Sequence, residues 1–220
     1  IDSAARVPEF VARAFQIATS GRPGPVVLAL PEDMQPQVAD VSDALCHQPV
    51  HAAPSDMQVA GLRRLLGRAQ RPIVIAGGPG WTEAACDNLK RFVEANYLPV
   101  ACAFRAQDVF DNRHPNYIGD VGVGINPRLA LRIREADLVI AIGPRLGEMT
   151  TSGYTLLTAP VPQQALVHVH SGAEELGRVY QASLAINAGM PQFASRLAMM
   201  VPVEEPPWRP LLEGARAEFE

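Results

Sequence analysis

Short apolar runs alternate with amphipathic segments from residue 56 onward, and this alternation constrains the fold more than any other feature. The runs are rich in Val, Ile, Leu and Ala, they end at glycine or turn residues, and they lie at 72–76, 98–103, 137–142, 165–169 and 184–186. The stretches between them place apolar residues three or four positions apart, which is typical of helices with one buried face. The pattern predicts an α/β fold: a doubly wound, Rossmann-like parallel sheet of about five or six strands with helices on both faces.

Proline-rich stretches divide the chain into four parts. The first part, residues 1–33, is predicted to form a helix through Val7–Ala18 and then a buried strand at Val26–Leu30, which ends at Pro31. Apolar periodicity is lost over 34–57, which predicts a linker, and 58–200 is the predicted central domain. A second proline-rich stretch opens residues 201–220, which we expect to be the start of another linker. The chain begins with Ile1 and not with Met, so we expect a fragment or a processed product.

Composition excludes several classes of function. The formal net charge of −4 argues against a nucleic-acid partner, because binding to a phosphate backbone needs a basic surface. No apolar run approaches the ~20 residues that a membrane span requires. The three cysteines, Cys46, Cys86 and Cys102, form no CxxC pair. A disulfide framework and a zinc ribbon are therefore disfavoured, and a cytoplasmic location is expected.

Two glycine-rich turns follow predicted strands and form the candidate binding site. Gly77, Gly78 and Gly80 lie in the first turn, and the second runs from Gly143 to Gly147 and contains Arg145. Ligands of open parallel sheets bind at the carboxyl ends of strands, where backbone N–H groups and an arginine can hold a phosphate. The alternative is that the short turns need glycine for steric reasons alone and that Arg145 is solvated or ion-paired.

No residue pattern indicates a self-sufficient catalytic or metal site. His168 and His170 share one side of a predicted strand, but no third metal ligand follows at a useful spacing, so hydrogen-bonded core histidines are the favoured interpretation. Polar residues cluster between Phe104 and Asn126, where a loop with internal ion pairs is the ordinary explanation. Nucleophile motifs are absent from the sequence.

Several segments, in order, resemble the thiamine-diphosphate enzymes of the acetolactate synthase and benzoylformate decarboxylase type. Gly21–Asp33 resembles the end of their pyrimidine-binding domain, and Arg71–Gly78 resembles the opening strand of their central domain. Further similarity lies at 136–145, at 168–178, at His114-Pro115 and at Gly119 and Gly122. The resemblance covers nearly the whole chain.

The resemblance implies the central, scaffolding domain of an enzyme that acts on a 2-oxo acid by decarboxylation or carboligation, as a lyase or transferase. In the family a glutamate of the first domain activates thiamine diphosphate, and a G-D-G…N motif of the third domain holds Mg²⁺ and the diphosphate. This chain lacks both, so we expect no turnover by the chain alone. Its implied partners are the missing domains of the same polypeptide and further copies in a homo-oligomer.

Some members of the family bind FAD or ADP at the central domain's strand ends. His170 and Gly172 replace two aspartates of the family pattern here, and Gly124-Ile125 replaces a His-Gly pair. These departures argue against FAD. The alternative function is a stand-alone nucleotide-binding module on the two glycine turns, with Gly77, Gly78, Gly80 and Arg145 as the cofactor-binding residues.

Overall fold

The computed structural model describes all 220 residues and divides into two units, residues 1–51 and residues 52–220. In the first unit, helix α1 spans Val7–Thr19, which confirms the predicted helix. Pro8 lies in its first turn, where a missing N–H breaks no helical hydrogen bond. The helix buries none of its residues, and Phe15 on its apolar face stacks on His47 with ring centroids 5.4 Å apart.

The predicted strand at Val26–Leu30 is wrong. The structure forms no strand there, and Val27 is 90% exposed. Residues 1–51 contain no strand at all, so this extended segment has no ladder partner within its unit. Its one long-range backbone contact is the Ile1 ammonium group, which donates to the Ala29 carbonyl at 2.6 Å.

The second unit is built on one six-stranded, all-parallel sheet in the order β3-β2-β1-β4-β5-β6. Its strands are β1 (Pro72–Ala76), β2 (Val100–Ala103), β3 (Tyr117–Val121), β4 (Leu138–Ile142), β5 (Ala165–His170) and β6 (Leu184–Asn187). Its helices are α2 (Asp56–Leu66), α3 (Glu83–Ala95), α4 (Pro127–Glu135), α5 (Met190–Ala198) and α6 (Arg209–Phe219). The doubly wound α/β prediction is confirmed.

Helices cover both faces of the sheet. Val74 and Ala76 of β1 point into one core with residues of α2, α3 and α5, whereas Ile73 and Ile75 point into a second core with α4 and α6. Side chains alternate between the two faces of a strand, so a strand that is buried on both faces is apolar at every position. This is why the central strands were evident as continuous apolar runs.

Strand β3 was missed, because its sequence lies in the stretch that was assigned as irregular. Gly119 has a φ of +121°, and the pairing register of β3 with β2 shifts between Val100 and Cys102. A glycine at such an irregularity breaks the apolar run on which the strand prediction depends.

Residues 201–220 belong to the second unit and pack against its other elements. Trp208 is buried and its indole N–H donates to the Asn96 carbonyl at 2.8 Å, while the Val203 N–H donates to the Asn96 side chain at 2.9 Å. Helix α6 then contacts β3 and α4. None of the helices combines the length and the apolar character that a membrane crossing requires.

Candidate functional site

The strand order reverses between β1 and β4, and the two glycine-rich turns follow these two strands. Gly77–Gly80 leaves β1 and Gly143–Gly147 leaves β4, so both turns lie at the carboxyl edge of the sheet. Ligands of doubly wound sheets bind at this topological switch point. The structure thus brings the predicted site residues to one place.

The glycines of the two turns are packed backbone against backbone. A Cβ on Gly78 would collide with the Gly143 carbonyl oxygen, and one on Gly143 would collide with the Gly77 carbonyl oxygen. Gly78 and Gly143 also have φ values of +74° and +88°, which favour glycine. Close packing and backbone conformation therefore require glycine at these two positions whether or not a ligand binds.

The first turn does not run directly into a helix. Helix α3 begins at Glu83, and the Thr82 side chain caps it by accepting from the Ala85 N–H at 3.2 Å. The carboxylate of Glu83 lies in the first helical turn, where it already complements the helix dipole. The cap leaves the helix N-terminus with fewer free N–H groups, and Glu83 weakens its attraction for an anion. Gly80 precedes the cap and adopts a φ of +86° with open space at its Cβ position.

Arg145 belongs to an ion cluster at the end of β4. Its Nε lies 3.0 Å from Glu175 Oε1, and Arg178 Nη1 lies 3.3 Å from the same oxygen. The Glu175 side chain is only 4% exposed, whereas those of Arg145 and Arg178 are 47% and 59% exposed. One buried carboxylate thus lies against two outward-facing guanidinium groups, of which Arg178 donates a hydrogen bond to it. Guanidinium groups also bind phosphate.

A cavity of about 90 Å³ lies beside this cluster. It is lined by the cluster residues Arg145, Glu175 and Arg178 and by Leu146, Gly147, Tyr154, His168, Val179 and Tyr180. Such a volume admits several water molecules or one compact ion, and it is well below the roughly 300 Å³ of the smallest ordinary ligand pockets. Burial raises the pKa of the Tyr180 phenol, which keeps this wall of the cavity uncharged.

His168 and His170 are hydrogen-bonded residues of β5, as the sequence interpretation held. His168 Nε2 lies 3.0 Å from the Pro144 carbonyl oxygen, which can only accept, so this nitrogen carries the proton. Burial lowers the pKa of His168 and keeps its ring neutral near pH 7. His170 Nδ1 accepts from the Gly172 N–H at 3.0 Å.

An acidic side chain lies close to the position of the missing family aspartate. A Cβ on Gly172 would collide with the carboxylate of Glu174, which folds back over the Gly172 backbone. The loop after β5 therefore carries two carboxylates, Glu174 at its surface and Glu175 in its interior.

Local contacts and burial account for Asp111 and Cys102, two further polar residues near the sheet edge. Asp111 pairs with Arg113 at 3.2 Å, and this arginine and its backbone N–H lower the pKa of Asp111. Burial raises the pKa of Cys102 to about 12, so that thiol is protonated near neutral pH. No group of three or more His, Cys, Asp or Glu side chains is placed to hold a metal ion.

The sequence interpretation missed Glu175 and Arg178 as partners of Arg145. Arg178 follows Glu175 by only three residues, so a local ion pair between them could have been expected from the sequence. Nothing in the spacing indicated Arg145 as the third member, because it lies 30 residues earlier, on the loop of the neighbouring strand.

Comparison with known proteins points to one family. The sequence profile described as thiamine pyrophosphate enzyme, central domain, matches residues 59–197. Acetolactate synthase isozyme 2 large subunit of Escherichia coli (strain K12) is 26% identical over 190 residues, which are 86% of this chain and 34% of that protein.

Two further relatives are also acetolactate synthase large subunits. The acetolactate synthase large subunit of Parasynechococcus marenigrum (strain WH8102) is 32% identical over 184 residues, which are 80% of this chain and 29% of that protein. The corresponding protein of Corynebacterium glutamicum (strain ATCC 13032) is 27% identical over 224 residues, covering 97% of this chain and 35% of the relative.

The chain thus spans about a third of the length of the curated relatives it matches. The profile matches the greater part of the chain, from α2 through five crossovers to α5, and the fold is the doubly wound sheet described above. This chain belongs to the thiamine pyrophosphate enzyme central-domain family.

Proposed function

We propose that the chain supplies the central, scaffolding domain of a thiamine-diphosphate-dependent enzyme that acts on a 2-oxo acid by decarboxylation or carboligation. The observation that carries this proposal is the family match over residues 59–197, together with similarity to acetolactate synthase large subunits that extends over 80–97% of the chain. Within such an enzyme the two-faced core described above gives the rigid support on which other parts of the protein are held.

The residues of the chain do not fit a site for thiamine diphosphate and Mg²⁺. Mg²⁺ needs oxygen ligands in near-octahedral order, and no cluster of carboxylates here offers them. When bound, thiamine diphosphate supplies the nucleophile and electron sink for this chemistry. We propose that other parts of the protein hold it and that residues 1–220 alone are inactive.

The test compares two proteins in the presence of thiamine diphosphate and Mg²⁺. The complete gene product should release CO₂ from a member of a panel of 2-oxo acids, or join two of them, only when the cofactor is supplied. The chain of residues 1–220 should show no turnover and no calorimetric heat of cofactor binding. Turnover by this chain, or cofactor-independent turnover by the complete protein, would contradict the proposal.

A second candidate function is nucleotide binding by Gly77, Gly78, Gly80 and Arg145. The location of both turns at the switch point favours it, and Arg145 is half exposed there. The interlocked glycines and the capped start of α3 weigh against a diphosphate lying across the turns. We therefore propose only that Arg145 binds one phosphate group of a nucleotide.

Titration with ADP at fixed ionic strength tests the phosphate contact. Charge-assisted hydrogen bonds contribute ~1.5–3 kcal/mol, so Arg145→Ala should weaken ADP binding about ten- to a hundredfold. Arg91→Ala removes an exposed arginine of α3 and is the control for overall charge. Equal affinity in the wild type and Arg145→Ala would exclude Arg145 as the contact.

We further propose that the complete protein is a homo-oligomer that works in the cytoplasm. Its relatives are described as large subunits, and the three cysteines of this chain are free thiols, as expected in a reducing compartment. The mass of the complete protein in solution, measured by light scattering, tests the first part.

A further inference from the structure

We infer that Tyr154 is a specificity-determining residue of the site around Arg145: its ring stacks on the base of a nucleoside phosphate whose terminal phosphate group lies against Arg145. The inference rests on the proposed phosphate contact of Arg145 and goes beyond it by naming the contact for the base. It also names the ligand class, a nucleotide that carries a phosphate group at its end.

The backbone around Tyr154 is strained. Ser152, Gly153 and Tyr154 all have left-handed backbone, with φ values of +48°, +66° and +64°. Residues with a side chain avoid this conformation, whereas glycine adopts it without steric cost. Burial of the ring does not offset the strain, because Tyr154 is 46% exposed. Backbone strain of this kind clusters at ligand sites, where the surrounding structure imposes it.

Thr151 connects this strained turn to the glycine-rich turn that contains Arg145. Thr151 is 2% exposed, and its Oγ1 donates to the Gly147 carbonyl at 2.9 Å. The same oxygen accepts from the Tyr154 N–H at 3.2 Å. The position of Tyr154 is therefore fixed relative to the turn of the proposed phosphate contact.

The cavity of about 90 Å³ beside Arg145 has room for a phosphate group but not for a whole nucleotide. Its lining contains two arginines, Arg145 and Arg178, and one carboxylate, Glu175, which leaves one positive charge in excess. Burial keeps His168 neutral there. The hydroxyl of Tyr180 is buried in the same lining without a partner at hydrogen-bonding geometry, which favours a polar ligand.

Arg145 and Tyr154 both line this cavity and both reach the surface, with 47% of the Arg145 side chain and 46% of Tyr154 exposed. A phosphate group in the cavity would leave the rest of a nucleotide outside, where the ring of Tyr154 is available. Every base can stack on an aromatic face, and guanidinium groups bind phosphate by charge-assisted hydrogen bonds. The two side chains thus match the two ends of a mononucleotide.

The experiment titrates the 220-residue chain with AMP and with ribose 5-phosphate, which share the ribose and the phosphate and differ only in the base. Calorimetry should show that the wild type binds AMP about tenfold more tightly, as expected from the stacking of one base. Tyr154→Leu removes the aromatic face, so it should abolish this preference and leave the affinity for ribose 5-phosphate unchanged. Tyr154→Phe keeps the aromatic face and should preserve the preference. Tyr97→Leu removes a tyrosine that precedes β2, at the opposite edge of the sheet, and is the matched control.

Several outcomes would overturn the inference. Equal affinity of the wild type for AMP and ribose 5-phosphate refutes it without any variant. A loss of affinity in Tyr154→Leu that is equal for both ligands also refutes it, because Tyr154 would then only support the loop. So does the same loss of preference in Tyr97→Leu. If Tyr154→Leu does not fold, Tyr154→Trp replaces it: AMP should quench the emission of this variant more than that of the wild type, and equal quenching contradicts the stack.

Arg145→Ala separates this inference from the proposed phosphate contact. It should weaken the binding of AMP and of ribose 5-phosphate by the same factor, because both present the same phosphate group to Arg145. If it changes neither affinity, or if the wild type binds neither ligand at millimolar concentrations, the phosphate contact is refuted and this inference with it. A loss in Arg145→Ala combined with an unchanged preference in Tyr154→Leu refutes the base contact alone.

Discussion

Two glycines at the switch point differ in what they tolerate, although both have left-handed backbone. At Gly78 (φ +74°) an added Cβ meets the Gly143 carbonyl, whereas at Gly80 (φ +86°) it meets open space. The pair therefore separates the cost of backbone strain from the cost of a steric collision. The distinction matters because a phosphate-binding role and a packing role predict different sensitivities at these positions.

We expect Gly78→Ala to lower the free energy of unfolding by more than about 2 kcal/mol, because strain and overpacking add. Gly80→Ala should cost only about 1 kcal/mol, from strain alone. Denaturant unfolding followed by circular dichroism measures both. Equal losses in the two variants would mean that the turns are not interlocked.

His168 should make the stability of the protein depend on pH. Burial lowers the pKa of its imidazole in the folded state. Below a pH of about 6.5 the unfolded chain therefore binds a proton that the folded protein does not, so stability is complete at higher pH and falls as the pH decreases. His168→Gln keeps an N–H donor for the Pro144 carbonyl but cannot titrate in this range.

The measurement is the free energy of unfolding at pH 7.5 and 5.5 for the wild type and His168→Gln. The difference between the pH dependences of the two proteins reports on His168 and on its interactions with His170 and Glu175. The wild type should lose more stability on acidification. A loss that is equal in the variant would assign the acid sensitivity to other residues.

Among the elements, α6 owes much of its attachment to Arg216. Arg216 Nη1 donates to the carbonyls of Asn112, His114 and Tyr117, at 3.0, 3.3 and 3.1 Å, and Phe219 packs edge-to-face on Tyr117 with centroids 5.0 Å apart. These contacts join α6 to edge strand β3 and to the loop before it. The end of the chain thus contributes to both cores of the second unit, through Trp208 in one and Ala215 of α6 in the other.

We expect Arg216→Met to lower the free energy of unfolding by about 1.5–3 kcal/mol, because it removes a charged donor from three carbonyl groups. Arg209→Met, in the same helix, loses a cation–π contact with Tyr97 and should cost less than about 1 kcal/mol. Thermal and denaturant unfolding measure the difference. A larger cost for Arg209→Met would contradict this account of α6.

Sequence patterns predicted two kinds of element: helices, whose hydrogen bonds are local, and strands that are buried on both faces. Central strand β1 was predicted with its observed bounds, since all five of its residues are buried. Edge strand β3 was missed because Gly119 interrupts it. The segment Val26–Leu30 has the composition of a strand, but strands also require a partner, and composition carries no information about that.

The sequence could predict where the candidate site lies, but not which residues of the site contact one another. Parallel topology alone brings the Gly77–Gly80 and Gly143–Gly147 turns together. That Gly78 touches Gly143, and that Arg145 is held by Glu175, depends on tertiary distances between residues far apart in sequence.

At the scale of the whole molecule, the second unit carries its own core. Both hydrophobic clusters consist of residues from Leu62 onward. The unit begins at Ala52, whose carbonyl accepts from the Gly189 N–H at 2.9 Å, and at Ser55, which forms a capping box with Gln58 at the start of α2. These features predict where the chain can be shortened without loss of folding.

We expect residues 52–220 to unfold in a single cooperative transition with the near-ultraviolet circular dichroism of a packed core, because removing residues 1–51 takes nothing from either cluster. A shorter variant, residues 56–220, loses the Ala52 hydrogen bond and the Ser55 cap, and it should be less stable than residues 52–220 by about 1–3 kcal/mol. Denaturant unfolding measures this difference, because both proteins keep every residue of the two hydrophobic clusters. A broad, non-cooperative transition for residues 52–220 would show that the first unit contributes to the core of the second, and equal stability of both variants would show that α2 does not depend on its cap.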